Sequence, residues 1–242
     1  MEGQTAHNSH YPTGEKMKRS VALLSVSAAA LLVAAGCSDT GVNAIPAENL
    51  RVSLKAPASV LGKASHVDLH LTSVKVLFKE LDFAQAGSDD SVEIETGPQV
   101  VSLSLDASIT EITAVKIRPG IYDRIRFTVH KPEDHEQVSD SVFKAGESGQ
   151  DRFSVVITGF YHDAPFTFRS RESTRMELLL SAPITVSDDG TVNVTIMIDP
   201  YLWFHSNGLL LDPFNQTQEI DDMIKSSFAR AFRDADRNGD PD

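Results

Sequence analysis

The segment Asp234-Ala235-Asp236-Arg237-Asn238-Gly239-Asp240-Pro241-Asp242 has the residue types and spacing best suited to chemistry. Short oxygen-bearing side chains at its first, third and fifth positions let successive residues wrap one hard cation. Gly at the sixth supplies a sharp turn, and Asp240 at the seventh offers its backbone carbonyl. Asp234, Asp236, Asn238, Asp240 and Asp242 are therefore the candidate ligands, and Ca2+ is the cofactor they would take. The competing reading is an acidic, frayed tail. A second constellation is His66-x-Asp68-x-His70, three metal-ligating types on one face of a strand. Successive same-face residues there stand about 7 Å apart, and a solvated polar face is the competing reading. A third is Tyr201, Trp203 and Phe204, with Phe160 and Tyr161 elsewhere. These rings either form a platform that stacks on a sugar or plug the junction between a sheet and a helix.

For covalent chemistry there is little. The sequence has no G-x-S-x-G elbow, no G-x-G-x-x-G and no P-loop, so no catalytic residue is assigned and no nucleotide is expected. The 34 acidic residues allow a carboxylate pair of the glycosidase kind, but their spacing singles out none. The formal charge of −12 argues against nucleic acid, which a basic patch would bind. One cysteine among 242 residues excludes an intramolecular disulfide framework. The hydrophobic fraction of 41% suits a globular body.

That cysteine, Cys37, ends a run of apolar and small residues, Ser20 to Ala35, preceded by Lys18 and Arg19. A short positive region followed by such a run reads as a secretory signal. Residues 1–16 are polar and do not suit its start, so Met17 reads as the natural first residue. Ala34-Ala35-Gly36-Cys37 resembles the lipobox of bacterial lipoproteins. The resemblance implies cleavage before Cys37, acyl lipids on that residue (palmitate among them), and a membrane anchor. Ser38 stands where an Asp would favour inner-membrane retention, so it implies the outer membrane. An unpaired thiol after an ordinary signal peptide is the alternative.

Positioning these residues falls to strands. From about residue 49 to 205 apolar residues recur with period two. Val52 and Leu54, then Val67, Leu69 and Leu71, then Val74, Val76 and Phe78 alternate with polar neighbours, and the switch of parity at Thr72-Ser73 predicts a β-bulge. Further strands are expected around Val101–Leu105, Ile112–Ile117, Ile121–Val129, Phe153–Phe160, Phe166–Arg171, Met176–Leu180 and Val192–Ile198. A hairpin is expected at His162-Asp163-Ala164-Pro165. Residues 84–91 and 131–151 read as acidic loops, the second ordered by Val142 or Phe143. After Pro213 the period changes: Ile220, Met223, Ile224, Phe228, Ala231 and Phe232 predict an amphipathic helix of about 17 residues, capped by Asn215 or Thr217. The fold class is thus mainly β, an antiparallel two-sheet β-sandwich with one C-terminal amphipathic α-helix. The chain divides into a signal peptide (1–36), a lipidated tether (37–48), the sandwich (49–212) and a C-terminal helix with its Asp-rich tail (213–242).

The order of these features resembles that of uncharacterised bacterial lipoproteins with an immunoglobulin-like or transthyretin-like β-sandwich. The Asp-rich tail matches the first half of an EF-hand-type calcium loop and resembles the repeats of secreted calcium-binding modules. It departs at position 12, where that loop carries a bidentate Glu and this sequence has no residue. The resemblance carries over no activity. The expectation is a lipid-anchored cell-envelope protein, a non-enzymatic binding or structural module whose partner is an envelope protein or a glycan. The alternative is a hydrolase of envelope polymers or glycans that uses paired carboxylates.

Overall fold

The computed structural model describes residues 48–57, 68–146, 148–226 and 228–242. Eleven strands join one sheet, in the order β5-β1-β10-β13-β9-β6-β2-β7-β8, with β3 and β4 on the second edge of β2. In chain order these are β1 (Leu50–Lys55), β2 (Leu69–Gln85), β3 (Ser91–Ile94), β4 (Gln99–Leu103), β5 (Ile109–Val115), β6 (Gly120–Val129), β7 (Val155–Tyr161), β8 (Ala164–Ser170), β9 (Thr174–Val186) and β10 (Val192–Ile198). A two-stranded ribbon follows, β11 (His205–Ser206) with β12 (Leu209–Leu210), then one helix, α1 (Thr217–Ser226), and β13 (Phe228–Arg233).

The mainly-β reading holds, but the sheet is continuous and mixed. β1 runs parallel to β10, and β13 meets β9 in parallel through the pair Ala231↔Leu180; the other ladders are antiparallel. The sheet also curls. Gln99 of β4 donates its side-chain amide to Ile112 O of β5 at 3.0 Å, which brings β4, on the edge of β2, against β5 at one end of the strand order. Leu50, Val52 and Leu54 of β1, Ile125 and Phe127 of β6, and Val194, Ile196 and Ile198 of β10 fill the inside of the curl and are almost wholly buried. Those apolar side chains come from alternate positions, which is the pleat at work.

β2 follows its sequence closely. Leu69 and Leu71 are buried on one parity, Val74 and Val76 on the other, and the register against β7 slips between Leu71 and Ser73, the bulge that the parity switch predicts. The long acidic loop after β6 packs its few apolar residues on the outer face of the sheet. Phe143, in a single 3-10 turn over Ser141–Phe143, joins Leu77, Phe153 and Val156 in a small second core.

The C-terminal helix is shorter than its periodicity predicts. α1 ends at Ser226, and Ala231 and Phe232 lie in β13, between β10 and β9. The apolar spacing there suits a helix, yet consecutive Ala231 and Phe232 are both fully buried, as a strand covered on both faces requires. Non-local pairing with β10 overrides the local period. In the turn that leads into the helix, Asp212 accepts from Phe214 N at 2.8 Å, and Gln216 Oε1 accepts from Asp212 N at 3.0 Å.

Candidate functional site

Two tight turns and the first residues of β2 build a small recess at one end of the sheet. The turn after β7 is His162-Asp163, with φ of 45° and 62°; the turn between β11 and β12 is Asn207-Gly208, with φ of 51° and 78°. Two successive positive φ values make each a two-residue hairpin turn, a conformation to which Asn, Asp and Gly are suited. His162 is then fixed twice to Asp68, just before β2: its backbone N–H donates to Asp68 O at 2.9 Å, and its ring Nδ1 lies 2.9 Å from Asp68 Oδ1. The second turn returns the chain so that His205 faces Leu210. Asp68, Leu69, Tyr201, His205, Gly208 and Leu210 line a cavity of about 210 Å³. His205 Nδ1 is 2.7 Å from Tyr201 O, which orients its ring.

Aromatic rings stand beside the cavity. Tyr161 packs edge-on against His162 at 4.3 Å and against Phe214 at 6.3 Å between ring centres. Phe214 is 52% exposed; Phe160, one residue before Tyr161 and so on the other face of β7, stacks on His70 at 6.3 Å and is 43% exposed. Burial, with the charges of Asp212 and Asp68, pushes the Tyr161 hydroxyl above its ordinary pKa, so it stays a hydrogen-bond donor. Asp212 is held below the ordinary carboxylate range by the Phe214 N–H and the Asn215 side chain, so it stays an acceptor. Apolar faces flanked by fixed donors and acceptors suit a hydroxyl-rich ring or a polar side chain of comparable size.

The expected stacking trio divides. Trp203 and Phe204 are fully buried in the turn Leu202–Phe204, and Phe204 packs against Phe166 and Phe168 at 5.6 and 6.2 Å. They form part of the core, next to α1, and offer no platform. Tyr201, 3% exposed, contributes to the wall of the recess. The exposed rings are Phe160 and Phe214 instead. Of the His66-Asp68-His70 triad, Asp68 is engaged by His162 and His70 stacks on Phe160, while His66 lies outside the described residues. Cys37 also lies outside them. Sequence reasoning missed the Asn207-Gly208 hairpin, although Asn-Gly between apolar residues is its strongest local signal.

Among the described residues, His130, Glu133 and Glu136 bring three ligand-type atoms within 4.8 Å of one another. Glu136, at the centre of the three, is already engaged through both oxygens. Glu136 accepts from Glu133 N at 2.8 Å, lies 2.7 Å from His130 Nε2 and pairs with Lys79 Nζ at 2.8 Å. This is a clamp that holds the acidic loop on β2. Burial raises the Glu136 carboxyl, but the Lys79 ammonium, the Glu133 N–H and His130 outweigh it and hold the pKa at about 2. A carboxyl depressed in the folded state adds stability above its unfolded value, and that stability is lost as pH falls through about 2. Glu136→Gln should therefore cost about 2 kcal/mol at neutral pH, allowing for solvent screening at the part-exposed Lys79. The difference from the parent should shrink between roughly pH 4.5 and pH 2; urea midpoints across that range measure it, and a pH-independent gap would contradict the clamp.

The Asp-rich tail folds back on β13. Asp234, fully buried, accepts with Oδ2 from Thr195 Oγ1 at 2.7 Å and from Gly239 N at 2.9 Å. Asp236 accepts from Asn238 N at 3.2 Å, and Asn238 Oδ1 accepts from Asp240 N at 2.7 Å. Asp242 closes the loop onto Ala235 N. Lys55 of β1 donates to Asn238 O at 2.9 Å and stands 3.5 Å from Asp240 Oδ1. The five expected ligand residues thus lie in one hydrogen-bonded turn.

No known protein family, curated protein or solved structure matches the chain.

Proposed function

We propose that the chain is a lipid-anchored cell-envelope protein that binds a glycan or an envelope partner and performs no covalent chemistry of its own. The observation that carries the anchor is the placement of the single cysteine: Cys37 follows Ala34-Ala35-Gly36 at the end of the apolar run. Several acyl chains on that residue would hold the protein stably, each buried methylene contributing about 0.8 kcal/mol. With Ser38 next, the outer membrane is the proposed address.

The recess is the proposed binding surface, and a glycan the proposed ligand. Glu48 and Leu50 stand at the end of β1 that pairs with Val192, whereas Tyr201 follows the opposite end of β10. A tether joined at Glu48 leaves the recess at the far end, roughly 20 Å along the strand. Tyr161, Phe214, Asp68 and Asp212 present the mixture of ring faces, donors and acceptors that sugar hydroxyls and C–H faces need. The hydrolase alternative finds less support, since the close pair Glu133 and Glu136 is bound up with Lys79.

The finer architecture belongs to this proposal as well. β5, β1, β10 and β13 act as one layer and the remaining strands as a second, hinged where Ala231 meets Leu180. Supporting the immunoglobulin-like resemblance, buried Tyr122 at the start of β6 donates its hydroxyl to Arg118 O at 2.6 Å, across Pro119-Gly120. β-Sandwiches of that class use such a tyrosine corner.

One experiment tests both parts. Cys37→Ser should move the protein from the membrane pellet to the soluble fraction. The soluble protein should still sediment with isolated envelope polysaccharide, and Tyr161→Ala should weaken that at least about tenfold. Continued membrane association of Cys37→Ser defeats the anchor; sedimentation indifferent to Tyr161 defeats the recess.

A further inference from the structure

The C-terminal turn carries an observation that hydrogen bonding within it does not explain. Asp234 is fully buried and anchored through Oδ2, yet its other oxygen, Oδ1, is buried with no hydrogen-bond partner. A buried carboxylate oxygen left unpaired loses its hydration with nothing in return. Oδ2 is taken by Gly239 N, the loop's own glycine, and by Thr195 Oγ1, so Oδ1 is the oxygen of this carboxylate left for a ligand at the root of the turn. A second oxygen beside it is in the same condition: Asn193 donates its amide to Ala235 O at 3.1 Å, while its buried Oδ1 accepts nothing. The turn is therefore lined by oxygen acceptors in surplus over its donors.

We propose that this turn, Asp234 to Asp242, binds one Ca2+. Asp234 Oδ1 supplies the buried ligand. Asp236 accepts from Asn238 N on Oδ1 and from the Asn238 side-chain amide on Oδ2, Asn238 Oδ1 accepts from Asp240 N, and each of these oxygens keeps a further lone pair for the ion. The Asp240 carbonyl adds a fourth ligand, and water fills the rest of the shell. An all-oxygen set with neither His nor Cys selects a hard cation. A turn with few protein ligands and no octahedral arrangement of them suits Ca2+ rather than the smaller, octahedral Mg2+. With only two carboxylates among the ligands from Asp234 to Asp242, the affinity belongs to the weak class of extracellular modules, with a dissociation constant on the order of 10⁻⁴ to 10⁻³ M.

The backbone is already shaped for this. Arg237 and Gly239 adopt φ of 58° and 80°, and a Cβ at Gly239 would lie 2.1 Å from Lys55 Cδ. Lys55 thus lies across the turn, with its ammonium on Asn238 O and near Asp240. That charge holds the turn closed without metal and opposes the arrival of a second cation.

The test is calorimetric titration of the full chain with calcium chloride in chelator-treated buffer, alongside its thermal midpoint. One site with the stated affinity is expected, and the midpoint should rise with calcium but far less with equal magnesium. Asp236→Asn changes an exposed side chain and leaves the buried anchor intact; it should weaken binding at least about tenfold. Lys55→Met removes the opposing charge while keeping its stem over Gly239, and should tighten binding severalfold. A parent that gives neither heat nor a midpoint shift at millimolar calcium overturns the site. So does an Asp236→Asn variant that binds as the parent does, and an unchanged Lys55→Met overturns the role given to the ammonium.

Discussion

A chain ending at Ser226 is expected not to fold. It lacks β13, which lies between β10 and β9 and pairs with β10 from Val194 to Ile198. Removing an interior strand strips the ladder from β10 and bares the core that Ala231 and Phe232 cover, both fully buried. Phe232 alone, truncated to Ala, should cost about 3–5 kcal/mol. It also removes Asp234, leaving the buried Thr195 hydroxyl without its acceptor. Domains are stable by only about 5–15 kcal/mol, so the combined loss exceeds the margin. The truncated chain should show no cooperative thermal transition by circular dichroism and should bind a hydrophobic dye. A cooperative melt close to that of the parent would mean that β13 is an accessory rather than the strand that joins the sheet.

Asn49→Leu is expected to cost about 3 kcal/mol or more. Asn49, 1% exposed, fastens three connections at once. Its side-chain amide donates to Ile117 O at 2.9 Å and to Ser187 O at 3.1 Å, and its Oδ1 accepts from Ile117 N at 2.8 Å. Its backbone N–H donates to Val115 O at 3.0 Å. Leucine fills similar space but strands the Ile117 N–H and two carbonyls, each unmet group costing about 1–3 kcal/mol. For a domain of this size the thermal midpoint should fall by roughly 6–12 °C. Asn49→Asp should fare no better, since it keeps the acceptor but turns a second oxygen toward two carbonyls. Differential scanning calorimetry of the two variants decides it; a midpoint within about 2 °C of the parent in both would sink the claim.

Much of the sheet was legible because its strands are half-buried. Where one face meets the core and the other meets solvent, the period of two is written directly, as in Ile125, Phe127 and Val129 of β6 or Phe166 and Phe168 of β8. Even the slip near Thr72 could be read, because a bulge shifts the buried parity. β13 could not be read that way: a strand covered on both faces has no period, and Phe228, Ala231 and Phe232 happen to fit a helical wheel. The parallel pairings were illegible for another reason. β1 meets β10 across most of the chain, and nothing local in Leu50–Lys55 names that partner. At the candidate sites, residue types identified the Asp-rich turn, but the orphaned oxygen of Asp234 is a property of packing. Trp203 and Phe204 show the converse, since large rings next to one another read equally well as surface or as core.

β8 ends the strand order, so among the described strands its outer edge has no neighbour. Unsatisfied backbone groups on such an edge invite a second chain to add its own strand. Pro165 near its start has no N–H to offer, and exposed Thr167 and Arg169 alternate with buried Phe166 and Phe168. Arg169 and Arg171 both lie over the Phe153 ring at 5.6 Å, which fixes two positive charges beside that edge. Copies crowded together would meet there as like charge against like charge. The open side of the sheet is thus guarded against self-aggregation by one imide nitrogen and a pair of guanidinium groups.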